Sequence, residues 1–208
     1  MIDLHVHSNY SDGKASVAEI AKRAKQLGLK AVGIVDHSIE LSFGLDERKA
    51  RLREIEIENA RALYGIKIYS GIECSVNSFG EIYRPFFDFD LIIVSVHDGT
   101  FNCLDRIIKC IENYDVHAIG HLFSEMFSCN RNEEAEEKLL DVLESRGVAI
   151  ELNSRHRCPP DDFLLKCSER EIKISIGSDA HSIEKVGRVE WCVEKAKRYL
   201  KRAKILEI

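Results

Sequence analysis

The chain has no apolar run long enough to cross a bilayer. Its first residues carry charge and histidine where a secretory leader would carry an apolar stretch, so no membrane role and a cytoplasmic location are expected. It has no Cys-x-x-Cys pair. Its seven cysteines, Cys74, Cys103, Cys110, Cys129, Cys158, Cys167 and Cys192, are odd in number and scattered, which reads as buried thiols rather than a disulfide framework. It has no excess of positive charge: 30 Lys and Arg against 35 Asp and Glu leave −5, so no binding of polymeric nucleic acid is expected. No Gly-rich dinucleotide or P-loop signature follows the first apolar segment, which removes support for a nucleotide-binding open sheet. What is present is ordinary for a single globular domain over residues 1–208, with 45% hydrophobic and 31% charged residues.

Apolar, β-branched runs alternate with helical patterns along the whole chain. Strands are expected at 2–7, 31–35, 67–73, 91–97, 117–121, 148–153 and 174–179. Helices are expected at 16–27, 46–63, 103–113, 133–145, 161–170 and 189–204. Ser16 with Glu19 forms a capping box, Gly28 stops the first helix and Gly147 follows the fourth. The last helix is basic along one face, as a solvated surface is. Strand–helix–strand repetition of this kind implies parallel pairing with right-handed crossovers.

The stretch from Asp3 to Gly13 is the centre of the reading. On a strand, His5 and His7 share a face about 6–7 Å apart, while Leu4 and Val6 turn the other way, toward helices. Similar polar residues recur at strand ends. Strand one offers His5 and His7 with Asp12 in its loop, strand two Asp36 and His37, strand three Glu73, strand four His97, strand five His121, and strand seven Asp179 and His181. Six of the eight histidines, all but His117 and His156, occupy these positions. In a parallel barrel every C-terminal strand end meets one rim, so a closed barrel explains the pattern better than an open sheet. His5, His7, Asp12, His37, Glu73, His97, His121, Asp179 and His181 exceed the needs of one ion and point to two or three divalent cations. Such donors suit Zn, Mn or Fe.

This order of motifs, from Asp3 to about Gly187, resembles the polymerase and histidinol phosphatase (PHP) family. The resemblance implies a single-domain distorted (β/α)7 TIM-like barrel with parallel strands and a trinuclear metal centre. One ion would be held by His5, His7, Glu73 and Asp179. A second would share Glu73 and take His97 and His121, and a third would use Asp12, His37 and His181. It implies a phosphoesterase acting on a small phosphorylated substrate. Three divalent ions against Asp12, Glu73 and Asp179 would keep a net charge of about +3, which suits a phosphate anion. A metal-bound hydroxide is expected to attack phosphorus in line, with Glu73, Asp179, His181 and Arg155 as the catalytic set. Arg155, Arg157, Arg84, His156 and Asn153 are the expected substrate contacts, because guanidinium groups grip phosphate in bidentate fashion and His156 can protonate a leaving group. Glu151 lies deeper, as a residue that orients ligands. Tyr10, Phe43 and Phe127 are candidate pocket walls. Two alternatives are a barrel hydrolase acting on a C–N or C–O bond and a non-catalytic binding module of the same type. No strand ends in the lysine that the first commonly uses, and the second commonly loses ligands that are all present here.

Overall fold

The computed structural model of the chain describes residues 1–98, 102–127 and 129–206. Its strands are β1 (Ile2–Val6), β2 (Ala31–His37), β3 (Lys67–Ser75), β4 (Leu91–Ser95), β5 (Ala118–Ile119), β6 (Ala149–Asn153) and β7 (Ile174–Gly177). They form one seven-stranded sheet in sequence order, every neighbouring pair parallel. Among the described residues six α-helices alternate with them: α1 (Val17–Gln26), α2 (Glu47–Tyr64), α3 (Cys103–Asn113), α4 (Glu133–Arg146), α5 (Asp161–Ser168) and α6 (Glu190–Tyr199). A one-turn 3-10 helix, Glu125–Phe127, follows β5. Among the described residues no helix is long and apolar enough to cross a membrane.

The helix ends follow local chemistry. Ser16 and Glu19 make the expected reciprocal capping box on α1. Asp46 caps α2 by accepting from Lys49 N at 2.7 Å. α2 and α4 end on Gly65 and Gly147 in the left-handed conformation.

The sheet curls into a nearly closed barrel. Asp179 N donates to His5 O and His7 N to Ala180 O, each at 2.9 Å, so the segment after β7 completes the ring against β1. At the opposite end, the free edge of β7 is covered by the tail: Ile174 N donates to Lys204 O and accepts, through its carbonyl, from Leu206 N. Leu206 is buried with Leu4, Val35, Leu91, Ile93, Ala118 and Ala149, an apolar plug inside the barrel. The last helix therefore ends at Tyr199, short of the expected 204, because the tail beyond it pairs with β7.

Two expectations are corrected. Leu4 and Val6 do not share a face. The register between β1 and β2 shifts between Asp3 and Val6, a bulge that turns Leu4 into the barrel interior and leaves Val6 outside against Val17 and Ile20 of α1. Gly33 accommodates this bend, since a Cβ there would meet Leu4 O at 2.6 Å. The cysteines are not all free: Cys103 and Cys129 form a disulfide, and the other five are buried thiols. The start of α3 and Cys129 are neighbours, a proximity that spacing along the chain does not reveal.

Candidate metal centre

The C-terminal ends of the strands converge as the pattern requires. His5, His7 and Glu73 are buried to 2% exposure or less, with His121 and Asp179 at 4% and His37 at 7%. Burying this many ionisable groups together is costly unless they are paired or coordinated. Glu73 is the hub. Its Oε1 faces His121 Nε2 at 3.0 Å and His97 Nε2 at 3.4 Å. Its Oε2 faces His37 Nδ1 at 3.1 Å, and His5 Nε2 and His7 Nε2 at 3.6 Å each. Asp179 Oδ1 lies 3.5 Å from His7 Nε2. On the outer side, Asp12 Oδ2 lies 3.1 Å from His181 Nε2 and 3.7 Å from His37 Nε2.

The donor set fits divalent ions. Three groups each bring their ligand atoms within 4.8 Å of one another: His7, Asp12, His37 and His181; His5, His7 and Glu73; and His37, Glu73 and His97. Donors about 2.0–2.2 Å from a shared ion lie at about this mutual spacing. His7 Nδ1 and His37 Nδ1 are buried and lie beside Asp12 and Glu73 at 3.5 and 3.1 Å without forming a hydrogen bond, a placement that suits nitrogen and oxygen donors to a shared ion. The groups overlap the implied ligand sets without matching them: His7 joins the Asp12 group and His37 the Glu73–His97 group.

The carboxylates, His7 and His37 are shifted toward the forms that ligate metals, whereas His5 and His97 are shifted the other way. Burial opposes the charge on Glu73, but the charges of His97, His5 and His37 and the His121 hydrogen bond hold it well below the usual carboxylate range. Asp12 and Asp179 are likewise held low against burial, Asp12 by His181, His7 and His37 and Asp179 by His156, His5 and His7. Burial and the charge of His5 push His7 down to about 3, and burial also lowers His37. Burial opposes charge on His5 and His97 as well, but Glu151 and Glu73 lift His5, and Glu73 lifts His97, above the ordinary imidazole value, so an ion that takes these two nitrogens displaces protons from them.

A second layer aims these groups. Glu151, fully buried, takes His5 Nδ1 at 2.7 Å, accepts from His121 N at 2.8 Å and holds the Asn153 amide at 2.9 Å. Ser95 Oγ donates to Glu73 Oε1 at 2.6 Å, and Ser75 Oγ meets His97 Nδ1 at 2.7 Å. Asp36 accepts from Ser8 N, Ser8 Oγ, Ser11 Oγ and Arg53 Nη1 at 2.6–2.8 Å, fixing the loop that presents Asp12. Asp3 accepts from Ser178 N, Ser178 Oγ and Gly187 N, tying β1 to the loop that carries Asp179 and His181. Asp3 and Arg53 have no counterpart in the sequence reading. A fully buried Arg on a surface helix carries no local signal.

The expected substrate contacts divide. Arg155 stands at the mouth, Nη1 against His181 Nδ1 and 3.7 Å from Asp179 Oδ1. His156 joins the cluster, Nε2 at 3.2 Å from Asp179 Oδ2 and Nδ1 at 2.8 Å from Ser124 Oγ, leaving His117 as the histidine outside it. Asn153 is buried, its amide on Glu151 and Asp179, so it faces ligands rather than solvent. Arg157 is exposed and lines an adjoining cleft. Arg84 lines a different cavity with Arg51 and Phe86 and donates to Phe87 O. Phe127 packs on His97 and His121, and Phe43 on His37, whereas Tyr10 bonds Glu56.

The chain is similar to known proteins. The DNA polymerase/3'-5' exonuclease PolX of Bacillus subtilis is 25% identical over 94% of the chain, which spans only 37% of that protein's length. A probable histidinol-phosphatase of Thermotoga maritima is 26% identical over 97% of the chain and 92% of its own length. A crystal structure of histidinol phosphate phosphatase from Lactococcus lactis, in complex with zinc, L-histidinol and phosphate, shares the fold with a TM-score of 0.70 at 20% identity, covering 97% of this chain and 92% of that one. The PHP domain model matches residues 3–155. The chain belongs to the PHP domain family of metal-dependent phosphoester hydrolases.

Proposed function

We propose that the chain hydrolyses a small phosphate ester at a centre of two or three divalent ions held by His5, His7, Asp12, His37, Glu73, His97, His121, Asp179 and His181. The observation that carries this is Glu73, which presents one oxygen to His97 and His121 and the other to His5, His7 and His37. That is the posture of a bridging carboxylate. When bound, the ions supply Lewis acidity at the phosphoryl oxygens and acidify water. The overall change is water added across an ester bond: its oxygen joins phosphorus, the ester oxygen departs with a proton, and an alcohol and inorganic phosphate result.

The side chains around the ligands set the geometry. If His181 ligates through Nε2, its proton resides on Nδ1, where the Asp179 carbonyl accepts it at 3.0 Å. Arg155 is a donor only and then loses His181 Nδ1 as its acceptor. Its guanidinium, 44% exposed, turns to the substrate phosphate. His156, between Ser124 and Asp179, orients Asp179.

Metal-reconstituted protein is to be assayed on a panel of small phosphate esters. Release of phosphate that chelation abolishes and Mn²⁺ or Zn²⁺ restores is expected, and turnover that survives exhaustive chelation overturns the proposal. Arg155→Ala is expected to raise KM by about tenfold or more, the weight of one charge-assisted contact, without lowering metal content.

A further inference from the structure

We infer that the substrate carries a second phosphate, held apart from the scissile one in a cationic cleft beside the metal centre. This rests on the phosphoesterase reading above. The cavity over the metal ligands measures about 130 Å³. The ions would take part of that space, which leaves room for a phosphoryl group rather than a whole substrate. Whole small-molecule sites run to about 300–1,000 Å³. A cleft of about 750 Å³ adjoins it, and the two share Arg155, Asp179 and His181 as a common wall. The leaving group has room there.

The chemistry of that cleft is one-sided. Lys14, Arg155, Arg157, Lys185 and Arg188 line it, against Asp179 and Glu190. Five cations collect at one place in a chain whose net charge is −5. Among the described residues Arg155 is the one of these five within ion-pair reach of a carboxylate; Lys14, Arg157, Lys185 and Arg188 form no salt bridge. Arg188 is fixed by its Nε on Glu184 O at 2.7 Å, which leaves its terminal nitrogens to a ligand. Lys14 and Arg188 also feel the charge of Glu184, but guanidinium and ammonium groups with no carboxylate in direct contact, in a cleft of this size, are what a phosphate dianion requires. The same charge repels a leaving group that carries an amine, such as histidinol.

The test uses the metal-loaded enzyme on α,ω-alkanediol bisphosphates of increasing chain length, each beside its ω-hydroxyalkyl and ω-aminoalkyl monophosphate. At the favoured length the bisphosphate is expected to exceed its hydroxyl partner in kcat/KM by about tenfold or more, with the amine the poorest. The double variant Lys185→Glu/Arg188→Glu is expected to erase the bisphosphate advantage and to leave hydroxyalkyl phosphate turnover within about twofold, both residues being exposed and neither forming a salt bridge with a proposed metal ligand. Calorimetric binding of the same bisphosphates and monophosphates reads the preference independently of turnover, so a chain that hydrolyses nothing still answers the question. Lys185→Gln/Arg188→Gln repeats the measurement if charge reversal harms folding. Equal binding and turnover of bisphosphate and monophosphate at every length overturns the inference, as does equal loss on both in the variants. Preference for a 5'-phosphorylated oligonucleotide over every bisphosphate also overturns it.

Discussion

Glu73 presents its two oxygens to different histidine sets, so its neutral isostere should fail in a particular way. Glu73→Gln keeps the size and the Ser95 contact but removes one anionic donor shared by the groups. Metal affinity and activity are expected to fall by more than the about 10–100-fold typical of an orienting residue. Metal titration of the variant checks this, and near-normal occupancy with normal turnover would reject the shared-ligand role. Arg53 makes a different prediction. It is fully buried with Asp36, Nη1 to Oδ2 at 2.8 Å. Burial raises the Asp36 pKa, but the adjacent Arg53 charge and the Ser11 hydroxyl more than reverse this, leaving it below the usual carboxylate value. A depressed folded pKa contributes stability that is present above the unfolded value and lost as pH falls toward the folded one. Arg53→Met strands the carboxylate and is expected to cost about 3–5 kcal/mol near neutral pH. In the variant Asp36 takes up a proton on folding, so the deficit should shrink as pH drops through the carboxylate range. Denaturant melts at neutral and acidic pH measure it.

Among the elements, β7 and its flanking turn show how closely backbone and ligands approach. A Cβ at Gly177 would lie 2.2 Å from Glu151 Oε1 and 2.7 Å from His5 Cβ. Gly177→Ala is expected to cost about 1–3 kcal/mol from overpacking and to weaken metal binding about 10–100-fold by displacing the Glu151–His5 pair. Gly65→Ala is the control. It is strained by its positive φ but meets nothing within 4 Å, so it should lose about 1 kcal/mol and leave metal affinity unchanged. Thermal melts and metal titrations of both variants separate packing at the site from backbone strain far from it. This contrast also marks what sequence can carry. The strands, and His5, Glu73, His121 and Asp179 at their ends, are visible because each polar residue interrupts an apolar run at a fixed place. The β1 bulge is invisible, since it depends on Gly33 of the next strand. The contact of His156 with Asp179 and the Cys103–Cys129 pair are invisible too, because only the fold brings each to its partner. Arg53 reads as one more charge on a polar helix.

At the scale of the whole molecule, the rim is a charged cup set on an apolar plug, and the two are linked energetically. The cup buries His5, His7, Glu73 and Asp179 beside one another, an arrangement held by mutual pairing. Its donors come from strands at both ends of the sheet, so an ion that binds them also fastens β1 to the segment after β7. The unfolded chain does not assemble these donors, and binding therefore adds to folding stability by mass action. At a free metal concentration 100 times its dissociation constant, one site contributes about 2.7 kcal/mol. For a chain of 208 residues that corresponds to a rise in Tm of roughly 5–10 °C. Melts with Mn²⁺ or Zn²⁺ and with chelator should differ by at least this much. In Glu73→Gln the difference should largely disappear, while in Lys185→Glu/Arg188→Glu, altered only in the neighbouring cleft, it should persist. A Tm indifferent to metal would mean that the cup holds its shape without ions, and that the buried histidines and carboxylates are a structural network.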